Sequence, residues 1–319
     1  MEQPTPEEME QAQAALKDFL HGMGAGGRTQ RPADLPEARM SRAEAASLVG
    51  MAGWRLHGKV CPAIETLAAQ VEALWTSVLP EDQFGLLDLD QRFKYLDTLD
   101  PAGKQEMVFA VPDPPRDSKY YPRLQVENRA YWSRAFRKLH IEVAVFHCVM
   151  YPRITYDLPI LSMDVVANND MVSLAIIDPC PVTPSLQLPP FYEAPVRELQ
   201  QRYQLQNNRD IPPWGRAIFS PCCVIMRPQG GEDLGRFLKY ALALTQMHVQ
   251  IAKIAHPVTS GPGAQRRIEA IHAAHQRYCD KQLENDKTRR VLAAAFGEQL
   301  AEEYMRTVMF SVEQLPAQS

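Results

Sequence analysis

The segment HIEVAVFHCVMYPR, residues 140–153, decides how this chain is interpreted. Its apolar, β-branched and aromatic residues are typical of a β-strand, yet Glu142 and His147 stand in the apolar run. In one unbroken strand these two side chains, an odd number of residues apart, would lie on opposite faces of a sheet. If the chain instead turns back at Ala144 and Val145, the same two side chains lie opposite each other on one face.

Ala144 and Val145 are unusual residues for such a turn, because the common two-residue hairpin turns need positive φ. Either the turn is strained, or a β-bulge resets the alternation between the two faces. We predict that the chain doubles back at these two residues. An unbroken strand over residues 139–150 would contradict this prediction.

The residues around this segment predict the fold class. Alternation with a period of two runs over about residues 124–177, whereas apolar residues repeat at helical spacing over residues 61–78, 232–255 and 266–310. Consecutive strands followed by consecutive helices favour an α+β fold, in which helices cover an antiparallel sheet, over alternating βαβ units.

Length and composition bound the organisation of the chain. With 319 residues, 45% of them hydrophobic, the chain can form a sizeable core, and we expect one domain over residues 58–319. Residues 1–57 are interpreted as a partly helical, loosely attached extension. The net charge of −4 comes from interspersed acidic and basic residues, so neither nucleic acid nor a membrane surface is expected as a partner.

The six cysteines show no CxxC pair, which favours a reducing compartment over a disulfide framework. No apolar run approaches the roughly 18 residues needed to span a bilayer. The acidic N-terminus, with Glu2, Glu7, Glu8 and Glu10, is unlike a signal or transit peptide. The sequence therefore predicts a soluble protein.

Several polar residues are candidates for chemistry. Asp164 interrupts the strand pattern PILSMDVVA, and in a dry cleft its pKa would rise, which would make it a proton donor. The alternative is that Asp164 faces solvent or bonds to nearby backbone. His147 could likewise be a hydrogen-bonded core residue, and His140 and Glu142 could lie on a solvated face of the sheet.

The segment ENDKTRRVL, residues 284–292, predicts a helix start, because Asn285 and Asp286 are both good N-cap residues. Basic residues in the first turn oppose the helix dipole, so Lys287 and its basic neighbours are candidates for an anionic ligand. A solvated helix face is the alternative. His272 and His275 lack a third ligand at a supporting spacing, so no metal site is expected.

Four blocks of sequence, residues 124–144, 146–167, 209–228 and 284–310, together resemble the ferredoxin-dependent bilin reductases. The likeness extends over about residues 61–310. It implies a three-layer α/β/α sandwich with a central antiparallel sheet, and biliverdin IXα bound between the sheet and the C-terminal helices. Related sequences have several more residues between Glu142 and His147, so loss of a short segment is a third explanation of the short connection.

The resemblance also implies an activity. Reduced ferredoxin would supply single electrons, no flavin or metal would be bound, and the protein would supply protons to bilin radicals on the way from biliverdin to phycocyanobilin. Three alternatives stay open: a sibling reductase that forms phycoerythrobilin or phytochromobilin, a reductase of chlorophyll breakdown products, and a bilin-binding carrier without turnover. The combination of Glu142 with His147 favours phycocyanobilin.

By the same resemblance, the family's catalytic residues fall on Asp164, His147 and Glu142. The positions that contact the substrate, including its propionates, fall on Arg209, Lys287, Asn285, Asp286, Ser173 and Phe310. A monomer in the chloroplast stroma or the cyanobacterial cytoplasm is expected. Because ferredoxins are acidic, a basic patch is expected to bind them, for which the candidates are Arg266, Arg267, Lys281, Arg289 and Arg290.

Overall fold

The computed structural model describes residues 53–79, 84–98, 124–168, 171–206, 208–258, 261 and 263–315. Residues 1–52 of the predicted extension lie outside the described residues.

One antiparallel sheet forms the centre of the fold, which confirms the predicted sheet type. The eight strands of the described residues are β1 Phe84–Leu86, β2 Tyr95–Asp97, β3 Gln125–Ser133, β4 Phe136–Val143, β5 Phe146–Pro152, β6 Ile160–Asn168, β7 Met171–Cys180 and β8 Val224–Met226. They pair in the order β1-β3-β4-β5-β6-β7-β8, with β2 also beside β3.

Helices cover both faces of this sheet. The described α-helices are α1 Pro62–Val78, α2 Gln91–Lys94, α3 Pro190–Arg202, α4 Gly231–Ile254, α5 Ala264–Leu283, α6 Asp286–Phe296 and α7 Glu298–Tyr304. A 3₁₀ turn spans Gly215–Ala217, and a π-helical turn, Met305–Met309, continues directly from α7. Asn285 caps α6, as predicted, by accepting a hydrogen bond from the Thr288 backbone N–H.

The connection between β4 and β5 is the tight hairpin that the sequence predicted. β4 ends at Val143 and β5 begins at Phe146, and Glu142 pairs directly with His147. Neither Ala144 nor Val145 has a positive φ. The turn therefore avoids the conformation that these two residues disfavour, and the short connection is accommodated within regular pairing of the flanking strands.

Alternation along the strands divides the core into two layers. In β4, Leu139 and Ile141 pack with α1, α3 and α4 in one cluster of buried side chains. Lys138, His140 and Glu142 point to the opposite face by the same alternation. There the apolar strand residues Val149, Tyr151 and Ile176 pack with α5, α6, α7 and the π-helical turn. The result is the predicted three-layer sandwich.

Residues just before position 58 pack against the sheet and α1. Trp54 and Leu56, which the sequence interpretation assigned to the extension, are buried. The Leu56 backbone N–H donates to Glu127 at 3.1 Å, and the Trp54 indole N–H donates to Glu72 at 3.3 Å. These buried carboxylates hold Trp54 and Leu56 to α1 and β3.

All six cysteines are buried in the fold. Among the described helices, none combines the length and the apolar character that crossing a membrane requires.

Candidate active site

A row of polar side chains crosses the face of the sheet that the C-terminal helices cover. Asn128 on β3 pairs with Glu142 on β4, Glu142 pairs with His147 on β5, and His147 pairs with Asp164 on β6. Directly paired residues of antiparallel strands project from the same face. The structure therefore brings together the three residues that the sequence singled out for proton chemistry.

His147 and Asp164 form a hydrogen-bonded ion pair at the accessible end of this row. His147 Nδ1 lies 2.6 Å from Asp164 Oδ1, and the Asp164 side chain is 30% exposed whereas that of His147 is 5% exposed. Burial opposes protonation of His147, but the charge of Asp164 and its hydrogen bond outweigh it and raise the pKa of the imidazole. At this distance the two side chains can share one proton.

Asn128 fixes the hydrogen bonds at the buried end of the row. Its amide N–H donates to the Phe93 carbonyl at 2.7 Å, which leaves its Oδ1 as an acceptor. Two groups approach this oxygen: His140 Nε2 at 2.9 Å and the Tyr304 hydroxyl at 2.8 Å. An amide oxygen carries no hydrogen, so each group can bond to it only as a donor.

The direction of the Tyr304 hydrogen bonds depends on the charge of Glu142. Tyr304 has one hydroxyl proton for two acceptors, Asn128 Oδ1 at 2.8 Å and Glu142 Oε2 at 2.5 Å. The hydroxyl donates to Glu142 when that acid is ionised; when Glu142 is a neutral carboxylic acid, it can donate to Tyr304, and Tyr304 to Asn128. Burial raises the pKa of Glu142, which favours the neutral form.

His140 differs from His147 although both rings are buried and lie 5.8 Å apart between centroids. Burial, with the charges of Lys138 and His147, lowers the pKa of His140 well below its usual value. His140 is thus a neutral imidazole that donates through Nε2. Within the described residues, His140 Nδ1 and His147 Nε2 have no hydrogen-bond partner. Two buried nitrogens are therefore available to a ligand or to water.

Phe310, predicted to line the pocket, packs edge-on against His147 with 5.7 Å between ring centroids. Ser173 is half-buried where the β6–β7 register shifts, and its hydroxyl donates to the Val166 carbonyl at 3.2 Å. Phe310 and Tyr304 thus form the apolar and polar parts of the cover over the row.

Tyr304 and Asn128 were not predicted from the sequence. Only Asn128 could have been found there, because asparagine is disfavoured in strands.

The other predicted substrate contacts lie outside the buried row. Arg209, Asp286 and Lys287 are exposed, and Asn285 is half-buried as the cap of α6. Solvent-accessible cations suit the carboxylates of an incoming ligand. Among the described residues no group of three or more His, Cys, Asp or Glu side chains could hold a metal ion.

Three of the five cations predicted to bind ferredoxin already have acidic partners. Arg267 pairs with Asp157, Lys281 pairs with Glu284, and Arg289 pairs with Glu302. These pairs reduce the positive charge that the predicted patch presents to a partner.

Comparisons with known proteins point to one family. A family model described as ferredoxin-dependent bilin reductase matches residues 114–311. The phycocyanobilin:ferredoxin oxidoreductase of Gloeobacter violaceus is 43% identical over 200 residues, covering 60% of this chain and 76% of that protein. The phycocyanobilin:ferredoxin oxidoreductase of a Synechococcus species is 36% identical over 258 residues, covering 79% and 93%.

A solved structure shows the same fold. The crystal structure of phytochromobilin synthase from tomato in complex with biliverdin aligns with a TM-score of 0.55 and 15% sequence identity, covering 76% of this chain and 80% of that one.

The proton on Glu142 is testable by infrared spectroscopy. The ligand-free protein should show the carbonyl stretch of protonated Glu142 at a higher pH than an exposed glutamate would, because burial raises the pKa of this carboxyl group. Glu142→Gln should remove this band, and Tyr304→Phe should shift it because the acid loses its acceptor. Asp178→Asn is the matched control, since Asp178 is another buried acid, with a pKa raised to about 7 by burial. A difference spectrum without a Glu142 band would contradict the assignment.

Proposed function

Because the chain belongs to the ferredoxin-dependent bilin reductases, we propose that it reduces biliverdin IXα to phycocyanobilin with electrons from reduced ferredoxin. The similar proteins from Gloeobacter violaceus and Synechococcus are named phycocyanobilin:ferredoxin oxidoreductases, which supports phycocyanobilin as the product. The observation that carries the proposal is the row of Glu142, His147 and Asp164 across one face of the sheet. A radical reduction needs proton sources beside the pigment, and this row supplies them.

The overall reaction consumes four electrons and four protons per biliverdin. Since a ferredoxin delivers electrons singly, the bilin passes through radical states. A protonated bilin accepts an electron more readily, because the added positive charge stabilises the incoming negative charge. Proton donors next to the pigment therefore promote each electron transfer, and no flavin or metal is needed for these steps.

The environments of the three residues give them different roles in this proposal. Asp164 is the most exposed of them and exchanges protons with solvent, and His147 shares that proton through its 2.6 Å contact. The free Nε2 of His147 then faces the bilin as donor. Glu142 holds a separate proton on the buried side and serves the reduction of the outer vinyl group.

The residues of the row differ in how accessible they are, so a bilin that enters the site reaches them in a definite order. Tyr304 covers Glu142 and Phe310 packs on His147, whereas the Asp164 side chain is partly open to solvent. A bilin entering between the sheet and the C-terminal layer therefore meets Asp164 first. Contact with Glu142 requires Tyr304 to yield its hydrogen bond.

The decisive experiment replaces Asp164 with Asn and follows anaerobic turnover of biliverdin with reduced ferredoxin. The variant should bind biliverdin but reduce it at least about 10²-fold more slowly, because general acid catalysis contributes 10²–10⁴ in rate. Asp157→Asn is the matched control, since that carboxylate pairs with Arg267 instead of His147.

Full activity of Asp164→Asn would refute the assigned role. The same assay separates the alternatives: a carrier would shift the biliverdin spectrum without turnover, and a sibling reductase would release a product whose absorption differs from that of phycocyanobilin.

The exposed cations Arg209 and Lys287 are proposed to bind the two propionates of the bilin. Arg209→Gln and Lys287→Gln should each weaken biliverdin binding by about 1 kcal/mol, roughly fivefold, because these ion pairs are solvent-exposed. The dimethyl ester of biliverdin should bind all variants equally. Lys253→Gln, an exposed lysine on α4 in the opposite layer, is the control. A weakening that persists with the ester would rule out a propionate contact.

Ferredoxin is proposed to dock through the cations that remain unpaired. Arg266 has no ion-pair partner among the described residues, and Arg290 donates only to the backbone carbonyl of Asp286. Activity should fall as ionic strength rises. Arg266→Ser should raise KM for ferredoxin more than Arg267→Ser does, since Asp157 already offsets the charge of Arg267. Activity that is insensitive to salt would contradict this docking mode.

A further inference from the structure

Lys138 is a buried lysine that the proposed chemistry does not use. It lies on β4, on the same face as His140 and Glu142, and only 4% of it is exposed. Burial, together with the charge of Arg137, lowers the pKa of its ammonium group to about 7. Taking an ammonium group out of water costs several kcal/mol, and an apolar residue of similar size would avoid that cost. The position therefore needs another explanation.

The contacts of Lys138 lead to the end of the C-terminal layer. Its Nζ donates to the Val308 carbonyl and to the Ser311 hydroxyl, the latter at 3.2 Å. Tyr151, its register partner on β5, donates its hydroxyl proton to the Met309 carbonyl at 2.7 Å. The carbonyls at a helix C-terminus lack partners within the helix, and a cation suits the negative end of the dipole. Two sheet side chains thus satisfy a buried helix end.

Phe310 lies between these anchored groups. Its backbone N–H donates to the Met305 carbonyl at 2.8 Å, and its ring packs on His147. Arg137 adds a further hydrogen bond, to the Ser311 carbonyl on the other side of Phe310. The backbone is therefore held before and after Phe310. The place of the ring over His147 follows from these bonds to β4 and β5.

We propose that Lys138 is a positioning residue, which with Tyr151 holds the backbone on both sides of Phe310 and so fixes the Phe310 ring against His147. The inference deepens the proposed function, on which its importance for proton transfer rests. The contacts themselves exist without substrate. Their effect on His147 is therefore measurable in the ligand-free protein.

The charged groups around His147 dictate the choice of variants. β4 contributes Glu142, His140 and Lys138, β6 contributes Asp164, and α7 contributes the Tyr304 hydroxyl next to Glu142. Lys138→Met removes a charge that opposes protonation of His147 as well as a packing constraint. Tyr151→Phe removes no charge; it removes a hydroxyl and its hydrogen bonds with the Met309 carbonyl and Cys279. The tyrosine variant therefore isolates positioning from charge.

The experiment follows the ring resonances of His147 by NMR in the full-length, ligand-free protein with isotope-labelled histidine. Tyr151→Phe and Lys138→Met should both shift these resonances and raise the titration midpoint of His147, because a displaced Phe310 leaves the imidazole less desolvated. Phe310→Leu should have the same effect. Tyr192→Phe, which removes a buried hydroxyl bonded to His248 on the opposite face, is the control and should leave His147 unchanged.

Unchanged His147 resonances in folded Tyr151→Phe would overturn the proposal, and this variant decides the matter even if Lys138→Met does not fold. Turnover of biliverdin is measured separately. Tyr151→Phe should lower kcat about tenfold with little change in KM, and the double variant with Phe310→Leu should be no slower than Phe310→Leu alone. A third outcome separates the two proposals. If the His147 resonances shift in the variants but even the unmodified protein does not reduce biliverdin, the proposed function is wrong and the positioning role of Lys138 stands.

Discussion

The two-residue turn at Ala144 and Val145 sets the register of the β4–β5 hairpin, and every polar contact of the site depends on that register. Side chains alternate between the faces of a sheet, so a slip of one residue would move Glu142 into the apolar layer against α1 and α4. The same slip would place Val143 opposite His147. A slipped register would bury polar side chains among apolar ones. Packing of the helices on both faces therefore stabilises the register that the proton chemistry requires.

Local sequence patterns were sufficient to predict the sheet, but they did not predict the contacts between the sheet and the helical layers. Alternation over residues 124–177 and the odd separation of Glu142 and His147 were sufficient for the antiparallel hairpin. Tyr304 is 162 residues from Glu142 along the chain, and nothing in its helical surroundings marks it as a partner of that acid. The contact of Trp54 with Glu72 is likewise one that local sequence patterns do not indicate.

His140 on β4 and His147 on β5 show how neighbouring groups give identical side chains different pKa values. His140 and His147 are both buried on the same face, yet the pKa of His140 is lowered and that of His147 is raised. His147 has Asp164 as its direct partner, whereas His140 meets a neutral amide and the positive charge of Lys138. The sheet thus keeps one imidazole as a fixed neutral donor and leaves the other free to carry a proton.

Two strand aspartates on this face, Asp178 and Asp164, differ in whether the polar groups around them already have hydrogen-bond partners. This difference separates a structural role from the proposed catalytic one. Asp178, also a strand aspartate, is fully buried and accepts from both the backbone N–H and the hydroxyl of Ser220, at 2.9 and 2.5 Å. It closes the connection before β8 and leaves little capacity for a ligand. Asp164 instead pairs with an imidazole whose second nitrogen has no partner among the described residues. Burying an imidazole nitrogen without a partner costs stability, so the fold bears that cost at the position where a bound pigment or water would complete the hydrogen bond.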